Sequence, residues 1–196
     1  MRVLDKPKLK GSEFLKLVVA NSAVPKSIAN KELGGYVEIL KGRDGISNHR
    51  ARLLITGSVI DNPNFIEMIE SEEVGGQVVS DMLCFGTRNF WDLTEEQGDP
   101  LTSITKRYNN KISCPRMMND HKRRLEFLKE RVKEDKIDGI IANTIEFCDL
   151  NGCENMIFEH EFKDMDIPIF LIDRDYFLGD IQRYKTRIEA FIEQIK

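Results

Sequence analysis

The sequence predicts an α/β fold: a Rossmann-like or flavodoxin-like parallel four-stranded sheet with flanking helices, preceded by an N-terminal helical appendage. Three observations predict it. From Arg52 onward, short apolar runs alternate with amphipathic stretches of helical period, an order that right-handed crossovers turn into a parallel sheet. Between those runs stand two helix starts, Asn62-Pro63 and Asp99-Pro100, each a capping side chain followed by a residue whose missing N–H is not needed in a first turn. Finally, 196 residues of which 41% are hydrophobic suffice to bury one substantial core.

The first fifty residues read as appendage and linker, residues 51–196 as the α/β domain. In "SEFLKLVVAN", Phe14, Leu15, Val18 and Val19 recur at helical spacing, with Ser12 placed to cap. "PKSIANKELGGYVEILKG" continues as helix to Gly42, and the polar stretch Arg43 to Ala51 is a linker. "RLLITGSV" (Arg52 to Val59) is the first strand, and "NPNFIEMIESEE" the helix after it. "GQVVSDM" (Gly76 to Met82) is the second strand, emptying into "LCFGTRNFWDL". Helices follow at "DPLTSITKRYNN" and "DHKRRLEFLKERVKEDK". "IDGIIAN" and "IPIFLID" are the third and fourth strands, separated by a helix around "CENMIFEHEFKDM". "YKTRIEAFIEQIK" closes the chain with Ile188, Phe191, Ile192 and Ile195 on one face.

Charge excludes some partners. The chain carries 33 acidic and 29 basic residues, net -4, so it has no basic footprint for nucleic acid, and any anionic ligand must be met by local groups. "RVLDKPKLKG" after Met1 contains no apolar leader, and no apolar run approaches the ~18 residues that span a bilayer. The expectation is a cytoplasmic protein that partners neither nucleic acid nor membrane. In a reducing cytosol the four cysteines, Cys84, Cys114, Cys148 and Cys153, do not read as a disulfide framework. Metal, cluster and plain burial remain as their explanations.

The ligand crevice of an open parallel sheet lies outside the carboxyl ends of its strands. Cys84 falls just beyond the second strand and Cys148 just beyond the third, so both reach one rim. Cys114 precedes Pro115 in a loop, and Cys153, where a helix begins, is expected as buried packing. Thiolates are soft ligands suited to zinc or iron-sulfur clusters. Against this stands the habit of cysteine to be buried and inert, and the sequence holds no CxxC pair.

Other templates are absent. "TGSVIDN" matches neither GxGxxG nor GxxxxGK[ST], and His160 in "FEHEF" has no second histidine at the spacing of a zinc protease. His160 and the run Lys122, Arg123, Arg124 read as solvated helix faces. "CFGTRNFW" offers more: Gly86 allows a tight turn, Arg88 can fork onto a carboxylate or phosphate, and Trp91 can pack a lid.

Seven segments taken together carry a resemblance: "RLLITGSVIDNP", "VVSDMLCFGTRNFW", "DPLTSITKRY", "SCPRMMNDHKRRLEFL", "IDGIIANTIEFCDLNGCENM", "IPIFLIDRDY" and "KTRIEAFIEQ". In this order, from about Arg52 to the C-terminus, they resemble the C-terminal portion of subunits of the 2-hydroxyacyl-CoA dehydratase and benzoyl-CoA reductase family. The resemblance implies a 4Fe-4S cluster held by cysteines at the base of a cleft between two α/β domains. It also implies an acyl-CoA thioester substrate, an ATP-dependent activator protein that injects an electron at low potential, and radical dehydration or ring reduction. Cys148 in "EFCD" looks like the family's C-terminal cluster ligand. Cys84 and Cys114 lie in matching segments as further metal candidates, and Ser58 and Arg88 are candidates for binding substrate.

The N-terminal α/β domain of such a subunit is missing from the resemblance, so the expected partner is that complementary domain or a second dehydratase subunit. The alternative is a non-catalytic fragment or assembly subunit that keeps the fold without a cluster. In the common doubly-wound order the second and third strands flank the first. Neighbouring strands lie about 4.8 Å apart, so Cys84 and Cys148 start roughly 10 Å from each other before their loops bend inward.

Overall fold

The structure is a computed structural model and describes residues 1–195. Four strands, β1 (Ala51–Gly57), β2 (Gly76–Asp81), β3 (Gly139–Ile145) and β4 (Ile169–Arg174), form one sheet in the order β2-β1-β3-β4. Every pairing is parallel. β1 therefore separates the two strands that carry Cys84 and Cys148, as the doubly-wound order anticipates. Seven helices accompany the sheet among the described residues: α1 (Gly11–Ala23), α2 (Lys26–Gly42), α3 (Pro63–Ile69), α4 (Pro100–Asn110), α5 (His121–Glu134), α6 (Asp149–Lys163) and α7 (Ile181–Gln194). None is long and apolar enough to cross a membrane.

The period-2 geometry of a strand divides the core. Leu53, Ile55, Val78 and Ile141 point to one face, where Leu15 of α1, Phe65 and Ile69 of α3, and Ile188 and Ile192 of α7 cover them. Leu54, Val79 and Ile140 point to the other, against Leu125 and Leu128 of α5 and Phe158 and Phe162 of α6. A sheet covered on both faces explains why its strands read as apolar runs rather than as alternation.

The two proline helix starts are realised. Asn62 accepts from the Asn64 N–H at 3.0 Å, and Asp99 accepts from the N–H of Thr102 at 2.8 Å and its hydroxyl at 2.7 Å. β3 and β4 begin two residues later than their apolar runs suggest, and α6 begins at Asp149, four residues earlier than expected.

The first fifty residues divide in behaviour. α2 buries only Ala29 and Leu40 and stands off as an appendage would. α1 instead belongs to the core. A Cβ on Gly11 would lie 2.6 Å from the Val78 carbonyl oxygen, so glycine is what lets the helix start seat on β2. Ser12, expected as the cap, lies inside the helix, whose cap position is Lys10. The free N–H groups of the first turn go to the buried Glu70 carboxylate. It accepts from Gly11 N–H at 2.7 Å, Ser12 N–H at 3.0 Å and Ser12 Oγ at 2.7 Å, and also from Gln77 Nε2 and Val78 N–H. Glu13 accepts locally from the Lys10 N–H at 3.0 Å, and a side chain 58 positions away takes the N–H groups that follow.

Candidate functional site

The carboxyl ends of the strands are tied together by Asn143 of β3. Its side-chain amide donates to the carbonyls of Thr56 at 2.7 Å and Ser58 at 3.1 Å, and its Oδ1 accepts from Arg174 Nε at 3.0 Å. Gly57 makes this possible. Its φ is +105°, and a Cβ there would stand 1.9 Å from the Asn143 carbonyl oxygen, so the chain leaves β1 in a conformation reserved for glycine. Ser58, a substrate-binding candidate by sequence, is buried and works within this frame: its N–H donates to Asn143 O and its hydroxyl accepts from the Ile145 N–H at 3.0 Å.

Cys148 sits at the cap position of α6, beyond β3. Burial alone would raise its thiol, but hydrogen bonds from the Asn151 side chain and N–H, with the Ser58 hydroxyl, hold it below the ordinary thiol value. Asn151 Nδ2 lies 3.3 Å from the sulfur. Just before it, Phe147 adopts a left-handed φ of +67° and is 98% exposed, an outward-facing aromatic on backbone that a bulky residue rarely accepts.

Cys84 lies in the loop after β2. Arg88, largely buried, donates to its sulfur at 2.8 Å and to the Ser113 carbonyl at 3.3 Å, which joins the Cys84 and Cys114 loops. The Cys84 loop is in turn pinned by Asp81, which accepts from the N–H groups of Leu83 and Thr87, from the Thr87 hydroxyl, and from Arg2 at 2.6 Å. Trp91 packs edge-on against Phe127 with the Arg131 guanidinium over its ring, which is the packing role considered for it from sequence.

At Cys114, burial works to raise the thiol. Hydrogen bonds from the Arg116 N–H and side chain, with the Arg88 charge, outweigh it and hold the thiol below its ordinary value. The Arg116 guanidinium is itself raised, chiefly by its bond to Cys114 and then by the charges of Cys114, Cys84 and Cys148. Arg88 ties the Cys84 and Cys114 loops together, and Cys148 stands beyond β3 at the same end of the sheet. Among the described residues, however, no three His, Cys, Asp or Glu side chains are gathered closely enough to hold a metal ion. The donor chemistry suits a thiolate-bound cluster, but the chain on its own offers an open rim rather than a closed ligand set.

Two readings from sequence are corrected. Cys153 is exposed, not buried packing. Because α6 begins early, its buried stripe is Glu154, Asn155, Phe158 and Phe162, and at 100° per residue Cys153 points away from Phe158. The Lys122 to Arg124 run is not wholly solvated. Arg124 is 3% exposed and pairs with the equally buried Glu154 at 2.5 Å, while its Nη1 donates to Ser113 Oγ at 2.7 Å and the Cys114 carbonyl at 3.2 Å. Arg124 is therefore the post on which the Cys114 loop hangs. Only its place in an i, i+4 row with Leu128 hinted at an inward face. His160 is exposed, as its helix face suggested.

A hollow of about 480 Å³ opens beside Cys114, lined by Arg88, Lys111, Arg123 and Asp120 among others. Burial, then the like charges of Arg88 and Arg107, pull the Lys111 ammonium below its ordinary value.

Comparison with known proteins names the kind of component this is. The family model described as 2-hydroxyglutaryl-CoA dehydratase, D-component, matches residues 1–195. The (R)-phenyllactyl-CoA dehydratase beta subunit of Clostridium sporogenes is 26% identical over 144 residues, 74% of this chain and 38% of its own. YjiM of Escherichia coli (strain K12) is 29% identical over 197 residues, 98% of this chain and 51% of its own. The lactoyl-CoA dehydratase subunit beta of Anaerotignum propionicum is 20% identical over 145 residues, 74% and 38% respectively. The chain spans about half the length of these relatives or less. The family match takes in the first fifty residues as well as the segments from Arg52 on, in keeping with the place of α1 in the core. From its first residue to Ile195, this chain belongs to the 2-hydroxyglutaryl-CoA dehydratase D-component family.

Proposed function

We propose that the chain forms one wall of the active site of an acyl-CoA dehydratase that works by radical chemistry, with a 4Fe-4S cluster held in part by Cys148. Cys84 and Cys114 stand beside it as further ligands. The observation that carries the reading is the Arg88 bridge between the Cys84 sulfur and the Cys114 loop, with Cys148 beyond β3 at the same end of the sheet, in a chain matched over residues 1–195 by a dehydratase component. Dehydration is favoured over the ring reduction of benzoyl-CoA reductases because the similar proteins bear dehydratase names.

A cluster held by Cys148, with Cys84 and Cys114, would supply low-potential electron transfer from an ATP-dependent activator protein to a 2-hydroxyacyl-CoA, easing loss of its hydroxyl. The chain's own residues position and shield. Asn151 and Ser58 aim the Cys148 sulfur and favour its thiolate form. Arg88 holds the Cys84 sulfur against the Ser113 loop. Gly57, Asn143 and Arg174 keep the rim rigid, and hydrogen bonds and burial at the sulfurs are the means by which a protein sets cluster potential. The second wall of the cleft comes from the complementary N-terminal domain or a second dehydratase subunit, in a reducing cytoplasm.

The test is anaerobic co-production with a complementary subunit, followed by iron and sulfide analysis. Cys148→Ser is expected to abolish cluster binding and Cys153→Ala to leave it intact. Full iron content in the Cys148→Ser complex refutes the assignment and favours a non-catalytic α/β component. These residues alone, given activator, ATP and reductant, are expected not to dehydrate any 2-hydroxyacyl-CoA, because they form one wall of the proposed cleft.

A further inference from the structure

The loop that carries Cys84 and Arg88 is wrapped around one buried carboxylate. Asp81, 2% exposed, accepts through Oδ1 from the N–H groups of Leu83 at 3.1 Å and Thr87 at 2.8 Å, and through Oδ2 from the Thr87 hydroxyl at 2.8 Å. The wrap is close enough that a Cβ on Gly86 would stand 1.9 Å from Oδ1. A carboxylate taken this far out of water is costly unless an opposite charge stands against it. That charge comes from the far end of the sequence. Arg2 Nη2 donates to Asp81 Oδ2 at 2.6 Å and to Thr87 Oγ1 at 2.8 Å, and no other cation pairs with Asp81 among the described residues. Arg2 is itself held. Its guanidinium lies 4.0 Å from the centre of the Phe14 ring, and Arg52 anchors the next two residues by donating to the carbonyls of Val3 and Leu4, each at 3.0 Å.

We propose that Arg2 is a positioning residue of the thiol rim. Acting through Asp81 and Thr87, it keeps closed the loop that sets the Cys84 sulfur 2.8 Å from the Arg88 guanidinium. The proposal rests on the reading of Cys84 as a cluster sulfur and adds the residue that controls where that sulfur stands. Thr87 opens the single helical turn Thr87–Asn89, so the oxygen that Arg2 grips is one residue from the guanidinium that meets the sulfur. Without Arg2, Asp81 keeps a buried charge with no counter-charge. Relief comes from the loop and not from the sheet, because Asp81 is registered against Ile55 in the β1–β2 ladder whereas the loop is tied down by the carboxylate itself. The loop opens to admit water, and Cys84, half-buried in the closed form, is released from Arg88. Compensation of charge has two marks that packing on Phe14 lacks. A single nitrogen makes both contacts, so an ammonium can replace the guanidinium, and the need for either ends when Asp81 is neutral.

The test uses the full chain, free of cluster, and follows alkylation of each cysteine by iodoacetamide with mass spectrometry of the modified peptides. At about pH 9.5, roughly one unit above the ordinary thiol value of about 8.5, the rate reports access to a sulfur more than its charge. Arg2→Ala is expected to speed Cys84 by about threefold or more and to speed hydrogen exchange at the Leu83 and Thr87 amides, leaving Cys148 unchanged. Thr87→Val removes the hydroxyl shared by Arg2 and Asp81 without leaving a bare charge, and is expected to speed Cys84 as well. Arg2→Lys is expected to keep the wild-type rate. Asp81→Asn keeps an oxygen for both N–H groups and removes the charge, so Arg2→Ala made in that chain is expected to have no further effect. An unchanged Cys84 rate in Arg2→Ala, or in Thr87→Val should the first not fold, overturns the proposal. So does equal acceleration of Cys148, which marks general loosening, failure of lysine to substitute, or a full Arg2→Ala effect in the Asp81→Asn chain, which marks packing alone. Because no iron takes part, release of Cys84 is read separately from iron loading in the co-produced complex, which tests the cluster itself.

Discussion

At Cys148 and Cys114 a few donors decide the chemistry of a thiol. Both thiols are held below their ordinary value against the opposing effect of burial, Cys148 by Asn151 and Ser58, Cys114 by Arg116. Removing a donor to the charged form lets burial dominate. Asn151→Ala is therefore expected to move the midpoint of Cys148 alkylation, followed against pH by mass spectrometry of the modified peptide, to higher pH. An unmoved midpoint would mean that the amide does not touch the thiolate. The opposite balance holds at Glu70, where burial outweighs the donations from Ser12, Gly11 and Val78 and pushes the carboxyl above its ordinary value. A raised folded value means the folded state keeps its proton longer. This contribution to stability is thus full below the unfolded glutamate value, about 4.3, and is lost as pH rises through the folded one. The stability of wild type relative to Glu70→Gln, from urea titrations at several pH values, is expected to fall as pH rises across that window.

Among the elements, α1 and α6 show how a helix is located by partners distant in sequence. Glu70 closes α3, caps α1 and accepts from β2, so one carboxylate joins three elements. Glu70→Ala is expected to cost about 1–3 kcal/mol, the penalty for leaving buried donors unpaired, measured by the urea midpoint at neutral pH. α5 and α6 are joined by Arg124 and Glu154, with side chains 3% and 6% exposed. Arg124→Ala leaves a buried carboxylate without its cation and is expected to cost about 3–5 kcal/mol, whereas replacing both residues with apolar side chains of similar size costs much less. A double-mutant cycle measures the coupling. If Arg124→Ala costs under a kcal/mol, the Cys114 loop has a different support. Cys153→Ala, on the solvent side of α6, is expected within about 0.5 kcal/mol of wild type.

For the molecule as a whole, the sheet is a rigid base with its functional loops gathered at one end. β1 and β3 are the inner strands and buried, while α2 and α4 bury little. Native-state hydrogen exchange is expected to find β1 and β3 opening only with global unfolding, and α2 and α4 exchanging orders of magnitude sooner. Equal protection of α2 and β1 would show that α2 is packed far more firmly than its exposure implies. The carboxyl rim, in contrast, leaves Phe147, Phe177 and Met118 between 86% and 98% exposed. Exposed apolar side chains of this size are what an opposing wall would cover.

The sequence by itself determined the α/β class, the four parallel strands, both proline-started helices, and the delivery of Cys84 and Cys148 to one rim. Each of these follows from local periodicity, local capping or the rule that ligands gather at the carboxyl ends of strands, and such signals are carried by residues a few positions apart. Only the tertiary structure decided that Cys153 faces solvent, that Arg124 is buried, that α1 is capped from Glu70, and that a hollow lies beside Cys114. Each of those depends on pairs of residues brought together across the fold, Arg124 with Glu154 and Glu70 with Ser12 among them. A charged side chain reads as solvated in sequence because nothing nearby reveals the distant partner whose charge or hydrogen bonds offset the cost of its burial.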